Sequence, residues 1–291
     1  MKNVLITGYR GFVGRSLCTQ LACQGITHSG YDLLDGDDIR DKFTLDTKFM
    51  NGNFDSVIHL AALTGVPRSD EYYEEYFSTN VVGTQNVVNL AKKYGVKNII
   101  FYSSSSVYGG ATNEKGISES FQLRPISTYG ITKKTGEDII KNSGLNWAIV
   151  RPFTIYGEQG KPFAVIKKWI NQIKAGQPIT FYGDGTSSRG YTYIKDIVKT
   201  TIDLLNKMES GMGADIYNVG GSENITLNEL YQIFEEVCKR KKIKIERVNK
   251  ERPDYDIANS FADVTKAKLL LGYEPKGNFK EATRAILEAE L

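Results

Sequence analysis

The sequence predicts an α/β protein: a doubly wound parallel sheet followed by a smaller α/β unit. Short, continuously apolar runs of strand length recur from the first residues, and helix-period segments separate them. Beyond Pro152 the texture changes to turn-rich segments with fewer helices. Strands that are apolar throughout, rather than alternating, belong to a sheet covered on both faces.

The apolar runs place strands at 4–7, 27–32, 56–60, 98–103 and 147–151, and the helical periodicity places helices at 12–24, 75–94 and 128–141. The interval between Asp32 and Ser56 is short, so the second crossover helix must be small, at 40–50. Tyr182-Gly183-Asp184-Gly185 and Gly220-Gly221-Ser222 mark turns of the later unit. We divide the chain at 1–155 and 156–291, and its 291 residues suit one large α/β domain or two modest ones.

Composition excludes several classes. With 24% charged and 41% hydrophobic residues and a mean hydropathy of −0.33, the chain is neither collagen-like, disordered nor membrane-embedded. No apolar run approaches the roughly 18 residues that cross a bilayer, and the N-terminus reaches Gly8 too soon for a signal peptide, so a cytosolic protein is expected. The three cysteines (Cys18, Cys23, Cys238) lack metal-ligand spacing, so reduced packing residues and no metal are expected. Net charge is +3, but residues 239–252 alone carry eight basic and two acidic side chains, leaving −3 for the remainder. A basic run this local does not make a nucleic-acid-binding face. It reads as a solvated helix end running into a strand, or as the edge of an anion site.

Gly8-Tyr9-Arg10-Gly11-Phe12-Val13-Gly14 follows the first strand and opens the first helix. Glycines at this spacing permit a tight turn, close backbone approach to a pyrophosphate and close helix–strand packing, while the helix start offers free N–H groups to phosphate. The setting predicts a Rossmann-type dinucleotide site. Asp32, 24 residues past Gly8, is placed to bind the adenosine ribose hydroxyls and favours NAD. Arg10 points the other way, because it could pair with the 2′-phosphate of NADP, which stays open.

Tyr129 and Lys133 are four residues apart and share a helix face. A free phenol, with a pKa of about 10, is a poor base near neutrality. A neighbouring ammonium and a positive nicotinamide ring both favour the phenolate. The fourth strand runs out into Ser103-Ser104-Ser105-Ser106. Ligands of an open α/β sheet bind at such strand ends, and a serine there can hydrogen-bond the substrate oxygen whose proton the tyrosine moves.

With these motifs the whole chain resembles the extended short-chain dehydrogenases/reductases, in their nucleotide-sugar epimerase/dehydratase family. The resemblance implies that Gly8, Gly11 and Gly14, with Arg10, Phe12 and Val13, form the cofactor loop, and that Asp38 and Ile39 contact adenine. It places His59-Leu60-Ala61-Ala62 beside the cofactor, gives Leu60, Ala61, Ala62 and Asn80 cofactor contacts, and makes Tyr129 and Lys133 the catalytic pair. The family's catalytic Ser/Thr lies 25 residues before its tyrosine in sugar 4-epimerases, which selects Ser104. Downstream, Arg151-Pro152-Phe153-Thr154-Ile155-Tyr156-Gly157, Gly183-Asp184-Gly185 with Arg189, Tyr217-Asn218-Val219-Gly220, Arg252-Pro253-Asp254 and Leu271-Gly272-Tyr273-Glu274-Pro275 resemble elements of the same family. They imply a nucleotide-sugar substrate met by Ser105, Arg189 and Arg252, the arginines at its diphosphate.

Two departures narrow the chemistry. Thr154 replaces the family's usual asparagine, and Ser105 and Ser106 stand where 4,6-dehydratases carry an Asp-Glu pair. Serine cannot supply the acid and base that eliminate water, so a 4-epimerase, an isomerase using NAD, is expected. A nucleotide 4-keto-6-deoxysugar reductase using NAD(P)H is the alternative, since the short 32–56 interval resembles the smaller reductases. A non-catalytic cofactor sensor is a further alternative. The resemblance also implies a homodimer through the helices near 75–94 and 128–142.

Overall fold

The computed structural model describes residues 2–291 apart from 112, 114, 159, 161–163 and 254. β1 (Asn3–Thr7) leads through the glycine loop into α1 (Phe12–Cys23), and β2 (Thr27–Tyr31) into a 3-10 turn (Leu33–Asp35) and α2 (Lys42–Gly52). β3 (Ser56–His59) precedes the one-turn α3 (Val66–Ser69) and a rod in three pieces: α4 (Tyr73–Phe77), a π-helical stretch (Ser78–Gly83) and α5 (Thr84–Lys93). β4 (Asn98–Tyr102), a 3-10 turn (Ser105–Tyr108), α6 (Thr128–Lys141) and β5 (Asn146–Pro152) follow. The chain continues through β6 (Ile155–Tyr156), α7 (Val165–Lys174), β7 (Ile179–Tyr182), β8 (Ser188–Gly190), β9 (Thr192–Tyr193), α8 (Ile194–Glu209) and β10 (Asp215–Val219). It closes with β11 (Asn224–Thr226), α9 (Leu227–Arg240), β12 (Arg247–Lys250), β13 (Asn259–Ser260), α10 (Thr265–Leu271) and α11 (Phe279–Glu290).

The five strands expected before residue 155 are all present, each end within one residue of its expected place. The second crossover helix starts two residues later than expected, because the Asp41 carboxylate accepts from the Phe43 amide at 2.9 Å and so caps α2. The helix expected at 75–94 is divided by its π-helical stretch.

The central sheet is parallel throughout, in the order β2-β1-β3-β4-β5-β10. The short 32–56 interval has room for one helix and no further strand, so β2 is the sheet edge. Alternate residues of one strand feed opposite layers. Val4, Ile6, Ile58 and Ile100 join Leu17 and Leu21 of α1 and Ile197 and Val198 of α8. Leu5, Val57, Ile99 and Phe101 join Leu45 of α2, Val87 of α5 and Ile140 of α6. The chain after residue 156 serves both regions: α8 and β10 complete the central sheet, whereas α7, α9 and α11 enclose a separate core around Trp169. There the Trp169 ring meets Phe181, Tyr231 and Phe234 at centroid distances of 5.1–6.1 Å.

Successive strands lie on opposite sides of β1: the chain moves outward to β2, then crosses back to β3. That reversal opens a crevice at the carboxyl ends of β1 and β3, where open α/β sheets bind their ligands.

Candidate active site

The crevice is a cavity of about 410 Å³ floored by Gly8, Gly11 and Gly14 and by the turn after β3, Leu60-Ala61-Ala62. Gly8 has φ +73°, and a Cβ there would lie 2.7 Å from the Ala61 amide nitrogen. A Cβ on Gly14 would stand 2.5 Å from the carbonyl oxygens of both Gly8 and Tyr9. These two positions admit only glycine, and they hold loop, strand and helix together. Gly11 differs: it caps α1 with no side-chain hydrogen bond, and a Cβ there would meet only the Gly8 carbonyl oxygen at 3.2 Å. The first turn of α1, with Phe12 and Val13, therefore presents its amides to a cavity that a side chain would have narrowed. A dinucleotide fits this arrangement: a glycine-walled helix start for pyrophosphate, a carboxylate beyond it, and a volume in the ordinary cofactor range.

The carboxylate is Asp32, which accepts from the Arg10 amide at 2.9 Å and the Leu34 amide at 3.0 Å and lines the cavity. Both of its oxygens are fixed by backbone donors. The Arg10 guanidinium is exposed and turned outward onto the Asp35 carboxylate and the Leu34 carbonyl oxygen. Asp38 and Ile39 line the same end, but the Asp38 carboxylate is gripped by Arg40, with Nε at 3.0 and 2.9 Å and Nη2 at 2.6 Å. Asn80 does not line the cavity. It is buried, and its amide joins the Leu63 amide (2.8 Å), the Leu63 carbonyl (3.0 Å) and the Thr132 hydroxyl (3.0 Å). It clamps the turn after β3 onto α6.

At the other end Tyr129 and Lys133 face the cavity from α6. Ser127 caps that helix, its Oγ accepting from the Gly130 amide at 3.1 Å. Gly130 lets α6 press on the 3-10 turn after β4, for a Cβ there would lie 2.7 Å from the Ser106 carbonyl oxygen. This approach sets the Tyr129 phenol beside the Ser104 hydroxyl. Ser104 is itself fixed, accepting from the Ser106 amide at 3.1 Å. Burial pushes the Tyr129 phenol up to about 12; the Ser104 hydroxyl acts in the opposite direction, and Tyr76 adds to the rise. Tyr76 stands edge-on to Tyr129 at 6.4 Å and donates to the carbonyl oxygens of Thr64 and Gly65, each at 2.9 Å. Lys133 is buried, with its ammonium 4.2 Å from the centre of the Phe101 ring.

His59, at the end of β3, is a buried link rather than a ligand contact. Its Nδ1 lies 2.6 Å from the Thr7 hydroxyl and its Nε2 3.0 Å from the Thr84 hydroxyl. Burial, with the nearby Lys133 charge, lowers its pKa to about 3, so the ring is neutral.

Neither Ser104 nor the expected substrate contacts are among the residues that line this cavity. Ser105 is half-buried at the start of the 3-10 turn. Arg189, on β8, is paired with Asp256 and donates to the Ser188 carbonyl oxygen at 2.8 Å. Arg252 is exposed beside Gly183 and Asp184, and Asp254 lies outside the described residues. Much of the 239–252 charge is locally engaged: Arg240 and Lys241 pair with Glu288, Lys244 with Glu246, and Arg247 covers the Phe181 and Tyr231 rings. Among the described residues no cluster of His, Cys, Asp or Glu is placed to hold a metal ion, and no helix is long and apolar enough to cross a membrane.

Residues 4–220 match the NAD dependent epimerase/dehydratase family. The chain belongs to this family. As a member of it, the protein is an NAD-dependent enzyme. It is 33% identical to the UDP-glucuronate 4-epimerase of Thermodesulfobacterium geofontis, across 98% of this chain and 94% of that one. Among solved structures it superposes on UDP-glucose 4-epimerase from Thermotoga maritima, determined with UDP-glucose, with a TM-score of 0.89 and 28% identity, covering 98% and 97% of the two chains. It also superposes on UDP-glucuronic acid 4-epimerase from Bacillus cereus, determined with UDP-glucuronic acid and NAD, with a TM-score of 0.84 and 26% identity over 99% of each chain.

In this family member the sequence reading missed the support beneath Ser104. Ser103 donates to Glu137 Oε1 at 2.6 Å, and Arg151 binds both Glu137 oxygens from Nε (2.8 Å) and Nη2 (2.6 Å). Arg151 Nη1 then reaches the Tyr108 hydroxyl at 2.8 Å, which donates to Asn218 Oδ1 at 2.7 Å. The available signal was a charged residue inside the apolar run of β5. Burial pushes the Glu137 carboxyl up, but the Arg151 guanidinium and the Ser103 bond more than offset this and hold it below its usual range. Arg151 and Asn218, matched by resemblance to downstream family elements, thus brace the fold.

Proposed function

We propose that the protein is an NAD-dependent nucleotide-sugar 4-epimerase whose substrate is a UDP-hexose or UDP-hexuronic acid. The observation that carries this reading is the placement of Tyr129 and Lys133, one turn apart on α6, at the far end of the glycine-floored cavity, with the Ser104 hydroxyl beside the phenol. NAD bound there supplies a reversible hydride acceptor for the sugar carbon. The Tyr129 oxygen takes the C4 hydroxyl proton and later returns it. Ser104, anchored by the Ser106 amide, donates to the same sugar oxygen and orients it. Lys133, buried and lining the same cavity, is assigned to hold the nicotinamide ribose and to place a positive charge at the phenol's end of the site. A 4-keto-sugar turned over within the site would present its opposite face to the cofactor, and reduction there would invert C4.

The relatives' substrates support UDP as the nucleotide. Hydroxyls at Ser105 and Ser106 leave those two positions without the acid and base of dehydration. Arg189 and Arg252 are assigned to the diphosphate and Ser105 to the sugar, residues 1–155 chiefly to the cofactor and 156–291 chiefly to the substrate. A homodimer through the α4–α5 rod and α6 is supported by exposed Phe77, Val82 and Ile131 on those elements. A cytosolic location completes the reading.

The test is incubation with UDP-glucose, UDP-glucuronic acid and their dTDP and GDP counterparts, read by chromatography and mass spectrometry. A new isomer of unchanged mass is expected; loss of water, or a gain of two hydrogens, would overturn the reading.

A further inference from the structure

The ribose end of the cavity carries a feature that NAD use alone does not require. Arg10 sits in the glycine loop with its amide on the Asp32 carboxylate, so its side chain starts beside the group assigned to the ribose hydroxyls. Yet its guanidinium is turned away, onto Asp35 and the Leu34 carbonyl oxygen. Asp35 is held in place from a second side, for the Tyr9 hydroxyl donates to its Oδ2 at 2.5 Å. Tyr9 is positioned in turn by Gly30, where a Cβ would stand 2.3 Å from the Tyr9 ring. Asp32, Leu33, Leu34 and Asp37 line the cavity, whereas Arg10 and Asp35 do not. A second arginine at this end, Arg40, is committed to Asp38.

We propose that Asp35, fixed by Tyr9, is a cofactor-specificity latch that holds the Arg10 guanidinium away from the ribose and thereby excludes a 2′-phosphate. The inference rests on the cavity's binding NAD. A phosphate ester entering beside Asp32 meets a carboxylate and no free guanidinium, which is unfavourable both electrostatically and in hydrogen bonding. Since both partners are partly exposed, the Arg10–Asp35 pair is weak enough to be rearranged by one substitution. Releasing Arg10 leaves a planar, permanently charged donor within one side chain of the ribose, the geometry that recognises phosphate.

Isothermal titration of the full chain, stripped of endogenous nucleotide, with NAD and with NADP tests this on wild type, Asp35→Asn, Arg10→Ala and the double variant. Asp35→Asn is expected to tighten NADP binding about tenfold while changing NAD binding less than about threefold. The double variant is expected to lose that gain, because the gain requires Arg10. An NADP affinity unchanged in Asp35→Asn overturns the proposal, as does a gain that survives Arg10→Ala, which would mean simple removal of negative charge. Wild type that binds NADP as tightly as NAD also overturns it. Wild type that binds neither dinucleotide overturns the reading of the cavity together with the latch, whereas NAD binding with an unresponsive NADP affinity sinks the latch alone.

Discussion

Glu137 and Arg151 meet as a bidentate ion pair almost completely removed from solvent, their side chains 0% and 2% exposed, and the same carboxylate receives the hydroxyl of Ser103. Taking two charges out of water is costly, and the pair is tolerable because each oxygen and nitrogen finds a partner. Glu137→Gln is expected to cost about 3–5 kcal/mol, because it strands the Arg151 charge. The joint replacement Glu137→Leu with Arg151→Leu is expected to cost clearly less than the sum of the single changes. Urea unfolding of Glu137→Gln, the two single leucine variants and the double variant measures both, and additive losses would show that the two residues act separately.

Tyr129→Phe is expected to lower kcat by roughly 10²–10⁴-fold, the scale of one lost proton-transfer group, while leaving dinucleotide binding in place. Lys133→Met is expected to move the acidic limb of the kcat/KM profile to higher pH. The sign follows from charge: a cation favours the phenolate, so its removal raises the phenol pKa further and demands more alkaline solution. A limb that moved downward would refute the role given to Lys133.

Gly130→Ala sets two effects against each other. Alanine favours a helix by about 1 kcal/mol over glycine, but its Cβ would stand 2.7 Å from the Ser106 carbonyl oxygen. The steric term wins, because that oxygen belongs to backbone and cannot step aside. The helix is expected to shift from the 3-10 turn and lengthen the Ser104–Tyr129 contact, lowering kcat by roughly 10²-fold. Steady-state kinetics alongside a melting curve separate this from simple unfolding.

His59 makes stability sensitive to acid. Its folded pKa of about 3 lies below its unfolded value near 6.5, so the unfolded chain takes up the proton first. The stability contributed by the neutral ring is complete above pH 6.5 and is lost as pH falls below it, at about 1.4 kcal/mol per pH unit. Between pH 7 and pH 5 this one residue is expected to remove roughly 2 kcal/mol. His59→Gln keeps hydrogen-bonding capacity without the proton uptake, so its stability is expected to fall less over that interval. Equal slopes for the two proteins in urea titrations would contradict the assignment.

The central sheet and the shared placement of Tyr129 and Lys133 at the cavity were legible in the sequence because each rests on local pattern. Continuous apolar runs disclosed β1 to β5, three glycines marked the cradle, and the spacing of Tyr129 and Lys133 required only helix geometry. What escaped depends on distant partners. Asp215–Val219 has no apolar run long enough to stand out, and it joins the sheet because its backbone pairs with β5. Asn80 reads like any polar helix residue until the turn at Leu63 is folded against it. The outward turn of Arg10 depends on Asp35, 25 residues away, and neither residue type nor spacing reports which carboxylate a flexible guanidinium selects.

The pairing of β10 with β5 bears on how this enzyme can be rebuilt. Cutting the chain after residue 155 would strip β5 of its neighbour and leave a row of unsatisfied backbone groups along a hydrophobic edge, an invitation to aggregation. Chimaeras that aim to swap substrate preference between relatives therefore need crossovers that keep α8 and β10 with the first 155 residues, and exchange only the segments around Trp169 and the loops facing them. Their boundaries follow hydrogen-bonded partnership, not position along the chain.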